Sequence, residues 1–220
     1  MYPSRNVFVA DIDDQAIVMD LEQDRYFGLS AALATSLRAA LSDAWNGCAP
    51  PQTSGAVSTL IAKGVLDPQA PPRQRPQAPP PAHDLWPSET YNASALRPLE
   101  QLGALRALAA AAASLRRRTF ARTVEWTVAK KAQARRTPNR SVGDLLNAFR
   151  DARPWFPTKP ICRLDALALF LFLNERGHVA DLVFGVRLQP FQAHCWVQLG
   201  DRAVNEAADR VRQFTPILTI

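Results

Sequence analysis

Short apolar runs alternate with Asp-rich turns near the start of the chain. The runs cover residues 7–10, 16–21 and 25–29, and this spacing predicts an antiparallel three-stranded meander. Beyond it, Leu33, Leu37 and Leu41 recur at helical spacing behind Ser30, a residue type that caps helices. Residues 57–63 predict a further helix. The first part of the chain therefore predicts a small mixed domain.

Proline dominates the next segment. Eight prolines lie between Asp67 and Pro87. Proline removes backbone donors and biases its neighbours toward extended forms, so we expect no packed element here but a semi-rigid linker. We therefore divide the chain into a domain over residues 1–68, a linker over 69–94 and a second domain over 95–220.

The second domain begins with helical patterns and ends with strands. The predicted helices are 96–118, 122–135, 141–151 and 162–176. The predicted strands are 179–188, 193–199 and 203–206. The helix from Cys162 to Arg176 is apolar on almost every side, which predicts that it is buried, and Gly177 suits its end. The two parts together predict an α+β protein.

Charge divides along the same boundary. Residues 1–70 carry four basic and eight acidic side chains, a balance of −4, and residues 71–220 carry twenty-two and twelve, a balance of +10. The segment from Arg116 to Arg140 holds nine Lys or Arg and one Glu. It lacks a nucleic-acid-reading motif, so we favour a solvated helix face, or a docking face for an acidic domain, over nucleic-acid binding.

Several classes of protein are excluded by composition. No apolar window is long enough to cross a membrane, and the start lacks a secretory signal, so we expect a cytoplasmic protein. Three cysteines give no disulfide framework, and the three histidines do not occur at metal-ligand spacing. The chain also has no phosphate-binding GxxxxGK[ST] loop. We therefore expect no metal and no cofactor.

The first candidate for chemistry is Cys162. It follows Pro160 and opens the buried helix, so the unpaired amides and positive dipole end of that helix point toward its sulfur. This environment lowers the pKa of a thiol and favours the nucleophilic thiolate. The alternative interpretation is a cysteine that only packs at a helix start.

A partner for this thiol lies on a predicted strand. Alternation along residues 192–199 places His194 on one face with Trp196, and Cys195 on the other among apolar neighbours. His194 can accept the proton of Cys162 as a general base, unless it is a buried structural histidine. We interpret Cys195 as a packing residue, and expect Cys195→Ala to be nearly silent. Cys48 has no histidine near it in sequence.

A third group should orient the imidazole by accepting from its other nitrogen. Glu206 lies twelve residues beyond His194, on the next predicted strand, where it can face the histidine. Asn205 and Asp209 are alternatives for this role. A further alternative is that Glu206 faces solvent and does not contact the histidine.

Read as strings, these segments resemble a known family. The strings are Pro160-Ile-Cys162-Arg-Leu-Asp, Arg176-Gly177-His-Val-Ala180-Asp-Leu-Val-Phe-Gly185 and Pro190-Phe191-Gln-Ala-His194-Cys-Trp196-Val, with 32 residues from Cys162 to His194. They are similar to the lasso peptide biosynthesis B proteins, leader peptidases with a transglutaminase-like, papain-like core. The resemblance implies a Cys162–His194–acid triad. Where the family usually has aspartate, this chain has Glu206.

The first seventy residues resemble a second known unit. Ile17 to Leu21, Tyr26 to Ser30 and Val57 to Leu66 are similar to precursor-peptide recognition domains, a winged-helix-like fold of three strands and three helices. The resemblance implies that a leader peptide adds as a strand beside the third strand and packs on the last helix, a mode that an exposed sheet edge supports. The implied leader-binding residues are Arg25, Tyr26, Phe27, Leu29, Val57, Leu60 and Ile61.

The sequence thus predicts a cysteine peptidase that removes the leader of a lasso precursor peptide. The resemblance also implies a partner, an asparagine-synthetase-like macrolactam synthetase that closes the ring. Two alternatives remain, a winged-helix nucleic-acid-binding regulator without activity and a transglutaminase-like acyltransferase. The preferred interpretation involves neither nucleic acid nor a membrane.

Overall fold

The structure is a computed structural model. It describes residues 1–45, 55–71, 78–85, 98–134, 137–138 and 140–220 of the chain. Within these ranges, helices combine with a three-stranded sheet, a five-stranded sheet and a two-stranded pair. The predicted α+β class is confirmed.

The N-terminal unit is built on the predicted meander. Its elements are β1 (Tyr2–Pro3), β2 (Val7–Ile12), β3 (Gln15–Asp20), β4 (Arg25–Gly28), α1 (Ala31–Trp45), α2 (Gly55–Ala62) and β5 (Leu66–Asp67). Strands β2, β3 and β4 form the antiparallel sheet in that order, and β1 pairs with β5. Asp13, Asp14 and Asp24 take positive φ in the two turns, a conformation that Asp tolerates better than most residues, which explains the Asp-rich turns of the sequence.

The C-terminal unit packs helices against the five-stranded sheet. Its helices are α3 (Pro98–Arg117), α4 (Phe120–Ala132), α5 (Val142–Ala152), α6 (Cys162–Glu175) and α7 (Ala208–Val211). Its strands are β6 (His83–Leu85), β7 (Asp181–Arg187), β8 (Gln192–Leu199), β9 (Arg202–Val204) and β10 (Thr215–Thr219), in the order β10-β7-β8-β9-β6. Every residue of α6 from Ala166 to Asn174 is buried, as its apolar sequence predicts. Burial of this helix fixes its first residue, Cys162, against the sheet.

Part of the expected linker belongs to this sheet. Strand β6 pairs in parallel with β9, Ala78 is buried, and the carbonyl of Pro79 accepts a hydrogen bond from Gln198 Nε2 at 2.6 Å. The expectation that no packed element forms between residues 69 and 94 is therefore wrong for residues 78–85. An edge strand tolerates prolines beside it because its outer backbone groups need no partner.

The N-terminal sheet is buried on both faces. Alternate residues of β3, Ala16 and Val18, pack against α1 and α2, whereas Ile17 and Met19 join the core of the C-terminal unit. A strand that is buried on both faces has a continuous apolar sequence, and residues 16–19 form such a run. The two units therefore share a hydrophobic core, which the sequence-based picture of two domains tethered by a linker does not include.

The end of the chain adds elements that the sequence analysis missed. Strand β9 ends at Val204, two residues before the predicted end, and helix α7 and strand β10 follow. Strand β10 pairs antiparallel with β7 and forms one edge of the sheet. Its five residues lack clear alternation and contain Pro216, so only pairing with β7 reveals the strand.

The basic segment is only partly paired. Lys131 on α4 forms a close ion pair with Asp181, and Arg140 lies 3.6 Å from Glu100. Arg5 of the N-terminal unit contacts Glu125 of this segment, with 3.1 Å between Arg5 Nη2 and Glu125 Oε1. Docking of the acidic unit on the basic residues remains a prediction. That nucleic acid does not bind this surface remains a prediction.

Candidate active site

Cys162 is the first residue of α6. Ile161 precedes it in an extended conformation, with no side-chain cap for the helix, so the first-turn amides remain available to the Cys162 side chain and to a substrate. The buried body of the helix anchors this end, yet Cys162 itself is exposed. The sulfur is thus both held in place and open to a reacting molecule, as a nucleophile must be.

His194 projects from the middle of β8. Its ring lies 5.3 Å from the Phe214 ring and stacks against Trp196 at 6.3 Å between centroids, and 11% of its side chain is exposed. The predicted alternation is present: Trp196 packs on the face with Phe214, and Cys195 packs in the core that contains α6. Two aromatic rings restrict the imidazole to one orientation and shield it from water.

Glu206 holds the far side of that imidazole. Its Oε2 lies 3.0 Å from His194 Nε2, which leaves Nδ1 for Cys162. Glu206 lies beyond the end of β9, and Asn205, with φ of 64°, turns the chain immediately before it. The carboxylate reaches the histidine from this turn and not from a regular strand. Asp209, one of the alternatives, instead forms a close ion pair with Arg212.

The electrostatics of the site favour an ion pair. Hydrogen bonds from Cys195 and His194 lower the pKa of Cys162 to about 4, against the opposing effect of burial. The hydrogen bond with Cys162, reinforced by Glu206, raises the pKa of His194 above its ordinary value. The two shifts both favour the pair of thiolate and imidazolium, the reactive form of a cysteine nucleophile with a proton donor beside it.

Cys195 does more than pack. It is buried, as expected, but its thiol donates a hydrogen bond to Cys162, which raises the pKa of Cys195 well above its ordinary value. The Cys195 backbone also contributes to lowering the pKa of Cys162. Strand β9 pairs with β8 only from Val197 to Leu199, so this edge of β8 is open beside Cys162. The expectation of a purely structural residue is corrected here, because alternation along one strand cannot show that a helix end approaches the strand edge.

The expected leader-binding residues fall into two groups. Leu29, Val57 and Leu60 are buried in the core of the N-terminal unit, so they shape this surface from beneath. The side chains of Arg25, Tyr26, Phe27 and Ile61 are at least partly accessible. Among the described residues no strand pairs with the outer edge of β4, the edge that a leader would occupy. Leader binding by these residues remains a prediction.

Other candidate groups lie apart from the dyad or outside the described residues. His178 Nε2 contacts the carbonyl of Arg140 at 2.9 Å, and His83 lies on the edge strand β6. Cys48 falls in the range 46–54, which the structure does not describe. No cluster of three or more His, Cys, Asp or Glu side chains suited to a metal occurs in the described ranges. None of the helices in those ranges has the length and apolar character needed to traverse a bilayer.

Comparison with known proteins agrees with this architecture. Residues 105–219, which contain Cys162, His194 and Glu206, match the family model of the transglutaminase-like superfamily. A stretch of 49 residues is 45% identical to the microcin J25-processing protein McjB of Escherichia coli, and covers 22% of this chain and 24% of that protein. The chain thus matches only about a quarter of the length of this relative. No solved structure matches the chain significantly. Since the family model spans more than half of the sequence, the chain belongs to the transglutaminase-like superfamily.

Proposed function

We propose that this protein is a cysteine peptidase that removes the leader from a lasso precursor peptide. The observation that carries the proposal is the array of an exposed Cys162 thiol, a His194 imidazole that lowers the pKa of that thiol, and Glu206 Oε2 at 3.0 Å from the imidazole. Partial similarity to a protein that processes microcin J25 supports the choice of a peptide substrate.

The proposed reaction has two chemical steps. The Cys162 thiolate attacks the scissile carbonyl, and His194 donates its proton to the leaving amine, which leaves a thioester on Cys162. Water then attacks the thioester with neutral His194 as the base, and the acid product departs as the thiol re-forms. Glu206 keeps His194 oriented and stabilises its charged form. The backbone amide of Cys162, in the first turn of α6, is a natural donor to the oxyanion.

The N-terminal unit is proposed to hold the leader. Strand β4 has an unpaired outer edge among the described residues, and its residue Phe27, like Ile61 of α2, packs against the core of the N-terminal unit. An extended peptide added to this edge gains backbone hydrogen bonds and pockets for alternate side chains. The bound leader raises the local concentration of the cleavage site near Cys162. The freed core peptide then passes to an asparagine-synthetase-like macrolactam synthetase.

The test is a mass measurement on the full-length chain incubated with candidate precursor peptides encoded near its reading frame. Two fragments whose masses sum to the precursor plus one water support peptidase activity. A product joined to an added amine would instead assign acyl transfer, since the same thioester can react with an amine. The proposal would be ruled out if the peptide stayed intact while iodoacetamide still alkylated Cys162 at low pH, because that alkylation shows that the reactive thiolate is present. Cys162→Ala should abolish cleavage and retain leader binding, and Asp209→Asn is the matched surface control.

A further inference from the structure

Strand β4 presents its side chains to two different cores. Phe27 packs with the helices of its own unit, and Arg25 lies on the same side, with its guanidinium 5.1 Å from the Phe27 ring. Tyr26 points the other way, beside its cross-strand partner Met19, and packs against the core that includes Leu164 and Cys195. Tyr26 is therefore a residue of the N-terminal unit that packs against the core of the catalytic unit.

Two contacts join the β3–β4 hairpin to the segments that carry Cys162 and His194. Asp24, in the turn, accepts hydrogen bonds from Arg163 Nη1 at 2.8 and 3.0 Å, and Arg163 directly follows Cys162 in the chain. The Tyr26 ring lies 6.1 Å from the ring of Phe191, which precedes His194 by three residues and is half exposed. The hairpin thus contacts one neighbour of the nucleophile and one neighbour of the histidine.

The Tyr26 hydroxyl is a neutral hydrogen-bond donor on the side of the hairpin that faces the catalytic unit. Burial, with added repulsion from Cys195 and Cys162, raises the pKa of Tyr26, so the phenol keeps its proton across the working range of a peptidase. Asp24, two residues before Tyr26 on the same hairpin, is hydrogen-bonded to Arg163, and the Tyr26 ring lies 6.1 Å from the Phe191 ring, so the phenol is held against the segments that carry Cys162 and His194. The structure gives this hydroxyl no hydrogen bond to another described residue. A neutral donor at this side of the site has the chemistry to bind the oxygen that becomes negative during attack.

We propose that Tyr26 is a catalytic residue contributed by the leader-binding unit, and that its hydroxyl donates a hydrogen bond to the carbonyl oxygen of the peptide under attack by Cys162. The proton stays on Tyr26 throughout, so the step changes no bond beyond those of the attack itself. The Cys162 backbone amide and Tyr26 would then be the two donors to the oxyanion. This inference deepens the proposed peptidase function and rests on it, and it makes docking of the N-terminal unit a condition of catalysis.

The test compares the full-length wild type, Tyr26→Phe and the matched control Tyr2→Phe, which makes the same change on strand β1. Phenylalanine keeps the ring against Phe191 and removes only the hydroxyl. Loss of one oxyanion donor should lower kcat for precursor cleavage about 100-fold. Affinity for a fluorescently labelled leader, the pH midpoint of Cys162 alkylation and the melting temperature should stay at wild-type values. Tyr2→Phe should cleave at the wild-type rate.

A second substrate keeps the inference separate from the peptidase proposal. The activated ester p-nitrophenyl acetate also forms an oxyanion when it acylates Cys162, and mass spectrometry reads that acylation directly. Tyr26→Phe should slow it to a similar degree. If the wild type cleaves no precursor but shows hydroxyl-dependent acylation, the peptidase proposal fails and the role of Tyr26 stands. The inference would be overturned if Tyr26→Phe cleaved and acylated at wild-type rates, or if the wild type were not acylated at all. It would also be overturned if Tyr26→Phe shifted the pH midpoint of alkylation, or lost leader affinity in proportion to its loss of rate.

Discussion

The hydrogen bond from Cys195 to Cys162 yields the sharpest quantitative expectation. Replacing Cys195 by alanine removes the thiol that donates to the thiolate and leaves His194 and the helix end in place. Replacing it by serine keeps a donor of similar size at the same position. The two variants therefore separate the loss of a hydrogen bond from the loss of a packing contact in the core.

The size of the effect follows from the energy of a hydrogen bond to a charged group. Such a bond contributes about 1.5–3 kcal/mol, and one pKa unit corresponds to about 1.4 kcal/mol, so its loss should raise the pKa of Cys162 by about 1–2 units. From a starting value of about 4, the variant should titrate near pH 5 to 6, roughly, on the same scale. The direction is upward because the bond stabilises the charged thiolate, and its removal favours the protonated thiol.

The assay is the pH dependence of iodoacetamide alkylation at Cys162, measured by mass spectrometry from pH 3.5 to 9. The midpoint of the profile is the readout, since a thiolate of higher pKa is also intrinsically more nucleophilic and the plateau rate alone would mislead. Alanine at position 195 should move the midpoint up by at least about one unit. Serine should restore most of the difference. Melting temperatures of both variants establish that the core is retained.

Two results would refute this reasoning. A midpoint in Cys195→Ala equal to that of the wild type would mean that the thiol does not stabilise the Cys162 thiolate. Equal upward shifts in the alanine and serine variants would assign the change to altered packing and not to the hydrogen bond.

Three further outcomes are expected. The pH profile of kcat/KM should be bell-shaped, because activity rises as Cys162 ionises near pH 4 and falls as His194 loses its proton above its ordinary pKa. An alkaline limb below pH 6 would contradict the ion pair. Glu206→Gln should lower kcat about 10-fold or more and move the alkaline limb to lower pH, because an amide stabilises imidazolium less than a carboxylate does. If its pH profile and rate equal those of Asp209→Asn, Glu206 has no role in catalysis. Gly185→Ala should destabilise the fold by about 1–3 kcal/mol in thermal unfolding, since an added Cβ would lie 2.8 Å from the Trp196 ring, and an unchanged melting temperature would show that the ring can move.

Local pattern accounts for much of the fold. The meander, the buried helix that begins at Cys162 and the alternation of β8 follow from periodicity, and the structure has each of them close to its expected range. Ser141, the first residue of the predicted helix 141–151, caps α5 by accepting a hydrogen bond from the Asp144 amide at 3.1 Å. These features depend on neighbours within a few residues, so the sequence carries the whole of their physical cause.

The tertiary structure decided the contacts between distant segments. Strand alternation separates Cys195 from His194, yet both meet Cys162 because the open edge of β8 faces the start of α6. Sequence spacing left Glu206, Asn205 and Asp209 as alternatives, and a positive-φ turn brings the glutamate to the imidazole. Likewise, Tyr26 points toward the catalytic unit only because the N-terminal sheet is covered on both faces.

The amino-acid sequence alone indicates the meander, the longer helices and the strands β7 and β8, and it shows which residues have the chemistry of a nucleophile and a base. It did not determine how the two units dock, because docking depends on matching surfaces formed by residues more than a hundred positions apart, such as Asp24 and Arg163. Periodicity indicates whether a face of a helix or strand is buried, but it does not indicate which element packs on that face. Only the three-dimensional fold shows that the hairpin expected to hold a leader also contacts Arg163, the residue after the proposed nucleophile.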